Sequence, residues 1–200
     1  MICMITVFGV VQFLVLTFIA GIFYPGGYDY LSYYFSDLGA TVAKNGEANP
    51  ISSKMFTTTL MVTAVTLVPF WVAIRSLFTT SRIEGWLSAI GTILGALSSP
   101  FIIGVAVFPM DTMLESHFIA TLVFFSLFTG ASLLYSAAII LNKGYPNRYG
   151  IVGLILFGAS LLVYMNPLAT YVAFLQNVLA YGYFIWILLP INLLWKYYIT

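Results

Sequence analysis

Between Tyr149 and Trp195 the chain carries no Asp, Glu, Lys or Arg. A membrane-spanning helix needs about 20 mostly apolar residues, so this run has room for two. MNPLATY, Met165–Tyr171, divides it near the middle, and its Asn-Pro pair marks a turn. Four more charge-free runs, Met1–Tyr28, Met55–Ile74, Gly85–Met110 and Phe118–Asn142, hold one span each. Only 6% of residues are charged and 62% are hydrophobic. A soluble domain carries about 25% charge, so lipid is the solvent this surface suits. The expectation is an all-α integral membrane bundle of six helices, forming a single domain over 1–200. The helices fall at about 2–24, 54–75, 85–108, 113–141, 149–166 and 171–195.

The same inventory excludes several function classes. Net charge is +1, with no basic stripe for nucleic acid. One cysteine, Cys3, rules out an internal disulfide and a thiolate metal cluster. One histidine, His117, rules out bis-histidine haem and three-histidine zinc. No metal and no cofactor are expected. No basic residue precedes the first apolar run, so it reads as a retained helix and not as a secretory signal.

Basic residues orient the bundle. With the N-terminus inside, Arg75, Arg82, Lys143, Arg148 and Lys196 are inside and only Lys44 and Lys54 outside. That satisfies the positive-inside rule and predicts a cell-membrane protein with both termini cytoplasmic. The acidic residues fall the other way: Asp29, Asp37, Glu47, Asp111 and Glu115 outside, Glu84 inside. Gly91 with Gly95, and Ser132 with Ser136, form small-residue steps that let helices approach closely. Pro69, Pro100 and Pro190 interrupt spans, and Ser98 and Ser99 are candidates to satisfy carbonyls freed by proline. No internal repeat argues for an inverted-repeat transporter.

This topology gathers the polar side chains at the outer face. Asp37, Ser36, Asp111, Glu115, His117, Asn166, Gln176 and Asn177 come from separate segments that end there. Each also has a structural reading. Thr112 and Glu115 fit a T-x-x-E capping box at the head of helix four. Asp111 suits a positive helix end, Asn166 a turn, and Gln176 and Asn177 interhelical hydrogen bonds. His117 is either a polar-site member or a histidine satisfied by a backbone carbonyl. A metal at His117 is disfavoured, because Glu115 is two residues away and faces elsewhere on the helix. A serine-hydrolase triad from Ser32 or Ser36, His117 and an aspartate lacks a G-x-S-x-G turn. YPGGY lacks the lysine of a phosphate-binding loop.

GYDYLSYYFSDLGA, Gly27–Ala40, stands out in the first outer loop. Leu31, Tyr34, Phe35 and Leu38 recur at i, i+3, i+4 and i+7, which predicts a short amphipathic helix over about 30–38. Asp29 would be its N-cap and Gly39 its end. Asp37 would then lie in the last turn, where the helix dipole disfavours a carboxylate by roughly 0.3–1 kcal/mol. It calls for a specific partner, with Lys44, Lys54 or protonated His117 the candidates.

YYFSDLGA, the Asn49–Pro50 pair, FPMD before helix four and SHFIAT at its start together resemble a prokaryotic six-helix membrane family. That family is catalogued as a domain of unknown function, number 998. The likeness runs from about Tyr24 to Leu141, with helices five and six matching as hydrophobic segments. A more distant similarity is to the DRAM-like membrane proteins, implicated in lipid remodelling and autophagy regulation. The resemblance implies that Asp37, Asp111 and His117 are the positions to watch, and it implies no reaction.

Three functions compete. The first is binding or handling of membrane lipid or its headgroup at the outer polar site; an enzyme there would be a lipid-directed hydrolase or transferase. The second is a non-catalytic subunit or scaffold whose partner is another membrane protein. The third is a transporter, which the small mid-span polar inventory of Gln12, Ser98 and Ser99 disfavours.

Overall fold

The computed structural model describes residues 2–166 and 169–199, with side chains as far as Trp195. Six long helices make the fold: α1 (Ile2–Ile22), α2 (Pro50–Ile74), α3 (Arg82–Val107), α4 (Leu114–Leu141), α5 (Asn147–Met165) and α6 (Val172–Ile199). All six are long and apolar enough to cross a membrane. With six helices running up and down, the start of α1 and the end of α6 lie at one end of the bundle and the long α1–α2 loop at the other. Among the described residues, the β pairing is a single bridge between Val42 and Ala48 in that loop.

The helices form a ring in chain order. Each packs on the next, and α6 packs back on α1, with the α3–α4 contact the most extensive. Large side chains fill the ring: Trp71, Tyr135, Tyr183 and Trp186 are fully buried. Phe8, Val65, Trp86 and Ile155 are exposed on the outside, where a bilayer would cover them. Gly91 and Gly95 do bring helices close, but they seat aromatic rings. A Cβ on Gly91 would lie 3.0 Å from the Tyr135 ring, and one on Gly95 2.3 Å from Trp71. The Tyr135 hydroxyl then reaches the Trp71 and Ser88 carbonyls at 3.3 and 3.1 Å. Ser136 lies against Gly153 of α5. Gln12 is glue between α1 and α2, donating to Thr63 Oγ1 at 2.8 Å and to the Gly9 and Thr59 carbonyls.

One boundary differs from expectation for a local reason. Helix α2 begins at Pro50, so Lys54 lies within its first turns. Proline at the first helical position has its φ preset and loses no helical donor. Pro69, Pro100 and Pro190 all lie inside helices. Ser98 donates to the Gly95 carbonyl at 2.6 Å, and Ser99 Oγ has no partner among the described residues. Neither therefore serves the Ala96 carbonyl that Pro100 leaves without its helical donor. Asn166 closes α5 as expected of a turn residue; Pro167 lies outside the described residues, as does the Lys196 side chain.

Candidate functional site

The loop from Phe23 to Asn49 folds into a cap over one end of the ring. Gly26 and Gly27 at φ +77° and +87° turn the chain out of α1. The expected amphipathic α-helix over about 30–38 is replaced by a shorter, tighter element. Residues 29–33 form turns, Tyr34 is extended, and a five-residue 3-10 helix spans Phe35–Gly39. All five of those residues are buried, so a stripe with one wet face has no place here. Asp29 does not cap a helix; its Oδ1 accepts from Leu31 N–H at 2.9 Å, an Asx turn. That bond holds the Asp29 carboxyl below its usual range.

Residues from α2, α6 and the α3–α4 turn pin the cap. On α6, Asn177 Nδ2 donates to the Tyr33 carbonyl at 2.8 Å and to the Tyr30 carbonyl at 3.3 Å. Its Oδ1 lies 3.0 Å from the Tyr28 hydroxyl, which also meets the Tyr34 carbonyl at 2.9 Å. Burial pushes the Tyr28 phenol far up. Gln176 Oε1 accepts from Phe35 N–H at 2.9 Å. On α2 and just before it, Ser52 and Asn49 hold the Leu38 and Ala40 carbonyls. Within the cap, Tyr24 accepts the Lys44 N–H through its hydroxyl at 3.0 Å. Tyr24, Tyr28, Tyr30 and Tyr33 pack edge-on or tilted, with centroids 4.7–5.9 Å apart.

Asp37 is the buried charge of the cap, 2% exposed. Its partner is Lys44, with Nζ to Oδ1 at 3.1 Å, and Oδ2 accepts from Tyr34 N–H at 2.9 Å. Lys44 is 45% exposed, so water solvates the cation and not the carboxylate. Burial pushes the Asp37 carboxyl above its usual range, more than Lys44 and the Tyr34 N–H pull it down.

Asp111 behaves oppositely. It is exposed, and one oxygen accepts from Thr41 N–H, Thr41 Oγ1 and Val42 N–H at 2.9, 2.6 and 3.0 Å. Desolvation raises its carboxyl, but these donors together outweigh that and leave it below the usual range. Asp111 thus ties the α3–α4 turn to the small hairpin of residues 41–49. Next to it, the Ser36 hydroxyl meets Met110 Sδ at 3.1 Å.

His117 is buried, and its Nδ1 lies 2.7 Å from the Phe108 carbonyl. A carbonyl only accepts, so Nδ1 carries the proton. The ion-pair partner of Asp37 is Lys44 and not this ring. Among the described residues no hydrogen bond joins His117 to Ser32 or Ser36, so no serine–histidine pair is assembled. The capping box expected at Thr112 and Glu115 is absent: α4 is capped at Met113 without a side-chain bond, and Glu115 is exposed. The structure therefore gathers Ser36, Asp37, Asp111 and Asn177 into the cap, sets His117 just below it and leaves Glu115 at the rim. Among the described residues no cluster of three or more His, Cys, Asp or Glu is placed to hold a metal.

Directly beneath the 3-10 helix, a partly open cavity runs into the ring. It is narrow, with a cavity volume of about 50 Å³. Phe35 and Ser36 form its roof; Phe13, Phe124, Phe128 and Phe184 are among its walls. Thr121 and Gln176 add polar groups, and Thr121 Oγ1 is buried without a partner among the described residues.

A ring of six apolar helices closed at one end by a polar cap defines an integral, multi-pass membrane protein. The chain belongs to the family described as "Protein of unknown function (DUF998)", whose model matches residues 7–191 and so takes in all six helices. No curated protein and no solved structure matches it.

Proposed function

We propose that this protein binds membrane lipid at its capped end, an alkyl chain lying in the cavity and the headgroup meeting the cap. The capped end would face the outside of the cell membrane, with both termini cytoplasmic, as the bias of Lys and Arg favours. The observation that carries the reading is the cavity itself. Its walls are aromatic and apolar, and its few polar groups, Ser36, Thr121 and Gln176, stand with the unpaired Thr121 hydroxyl among them. Binding sites combine apolar walls with a few placed polar groups in this manner. A binding role also suits a cap whose serine and histidine are each committed to other partners.

The test is to fill the cavity. Ala180 is buried on its wall, so Ala180→Phe places a ring where the chain would lie. Native mass spectrometry of protein released from nanodiscs reads retained phospholipid. The expected result is loss of retained lipid with unchanged helicity, repeated by Leu60→Phe. Equal retention by both folded variants and the wild type would overturn the reading. Copurification of those variants and the wild type alike in one larger assembly would favour the scaffold role.

A further inference from the structure

At the end of the ring opposite the cap, the chain leaves α2 by a 3-10 turn, Arg75–Leu77, and starts α3 at Arg82. The elbow holds an open pocket of about 430 Å³, with Val72, Arg75, Ser76, Phe78, Thr79 and Ser81 in its lining. This end carries four cations with described side chains, Arg75, Arg82, Lys143 and Arg148, and one carboxylate, Glu84. Glu84 is turned inward and 4% exposed, accepting from Asn142 Nδ2 at 2.7 Å and from Ser81 Oγ at 3.1 Å. The field at the surface of this end is therefore positive.

Arg75 is the cation in the pocket. Arg148 lies over the Tyr149 ring at 5.5 Å, and the ion pair found among the described residues is Lys44–Asp37 at the other end. Arg75 is exposed and faces no carboxylate within salt-bridge distance among the described residues. Thr79 adds an exposed hydroxyl, and the first turn of α3 borders the pocket through Ser81 and Gly85. Exposed Val72, Ile83 and Trp86 continue the surface towards the lipid-facing side.

We propose that the α2–α3 elbow is a second binding site, for a phosphate ester, with Arg75 as its charged anchor. A guanidinium presents a planar fork of donors that matches two phosphate oxygens. The Thr79 hydroxyl suits a remaining oxygen. An anionic phospholipid headgroup and a free phosphate share this chemistry. The apolar border of Val72 and Trp86 matches the acyl chains of the first.

Full-length protein in nanodiscs, with phosphatidylglycerol in phosphatidylcholine, supplies the test. Native mass spectrometry would report preferential retention of phosphatidylglycerol by the wild type. Arg75→Gln should weaken that preference about tenfold, Arg75→Lys should restore part of it, and Lys143→Gln, outside the pocket, should leave it intact. Millimolar inorganic phosphate distinguishes the sources. Competition that depends on Arg75 shows that free phosphate enters the same site as the lipid headgroup; retention without competition assigns the site to the lipid, and both support the site. Equal losses in Arg75→Gln and Lys143→Gln, or no loss in folded Arg75→Gln, would overturn it. Because the cavity variants lie at the other end, failure here and failure of the cap reading are read separately.

Discussion

Replacing Asp37 by asparagine separates two opposing electrostatic effects. At 3.1 Å from Lys44 the carboxylate gains about 5 kcal/mol at an effective dielectric of about 20. Removing a carboxylate from water costs several kcal/mol, and Asp37 is 2% exposed. The upward displacement of its carboxyl says that desolvation wins. Asparagine keeps an oxygen for Tyr34 N–H and releases an already half-wet lysine. Asp37→Asn should therefore be neutral or stabilising by up to about 1 kcal/mol, or roughly 2–4 °C in Tm. A group with a raised folded pKa contributes stability that is present below its ordinary value, here 3.8, and lost as pH rises through the folded value. The wild type should thus gain on Asp37→Asn as pH falls through the window above 3.8. Buried Cys3, the chain's one cysteine, supplies the assay: a thiol-reactive dye reports unfolding during a thermal ramp, repeated across pH. A loss above about 2 kcal/mol in Asp37→Asn, or a wild type that weakens relative to it on mild acidification, would show that attraction to Lys44 dominates.

Asn177→Leu should leave the helices intact while freeing the cap. Loss of its loop bonds costs about 1–3 kcal/mol locally, read as faster hydrogen exchange over residues 28–40 with unchanged exchange in α3 and α4. Gly95→Leu, whose Cβ would lie 2.3 Å from Trp71, should cost about 1–3 kcal/mol by overpacking, visible as a lower Tm and altered tryptophan fluorescence. Asp111→Ala should raise exchange at Thr41 and Val42. Its lowered carboxyl places its pH dependence at the other side of the ordinary value, with stability present above 3.8 and lost as pH falls through the depressed value.

The spans were legible because charge is so scarce that four charge-free runs each mark one helix, and the fifth, Tyr149–Trp195, is long enough for two with a turn between them. Lys44 was legible only as one of three candidate partners for Asp37, and the reason for expecting a partner was wrong: Asp37 lies in the first turn of the 3-10 helix, its Oδ2 accepting from Tyr34 N–H, and not late in a helix. The element around Asp37 was not. Leu31, Tyr34, Phe35 and Leu38 have helical spacing, but Gln176 and Asn177 bind the backbone of Tyr30, Tyr33 and Phe35. Those tertiary bonds displace the local helical ones, and periodicity carries no sign of them. Asn49 entered only through the Asn-Pro pair of the family likeness and Ser52 not at all, because the span was set from about 54; proline after Asn49 is a local signal for a helix that begins earlier. The T-x-x-E spelling misled because Met113, not Thr112, occupies the cap position.

The ring closes in chain order, and that order has a consequence for biogenesis. As helices leave the ribosome one at a time, each finds its packing partner in the helix just inserted. Contacts local in sequence form quickly, so α1 to α5 can assemble progressively. The α6–α1 seam cannot. Gln176 and Asn177, which fasten the tyrosine loop, also arrive last. The loop is therefore made early and lacks its α6 fastenings through most of synthesis, and the final helix both closes the ring and completes the cap. A chain truncated before α6 would expose that loop to proteases, so cap protection doubles as a readout of completed insertion.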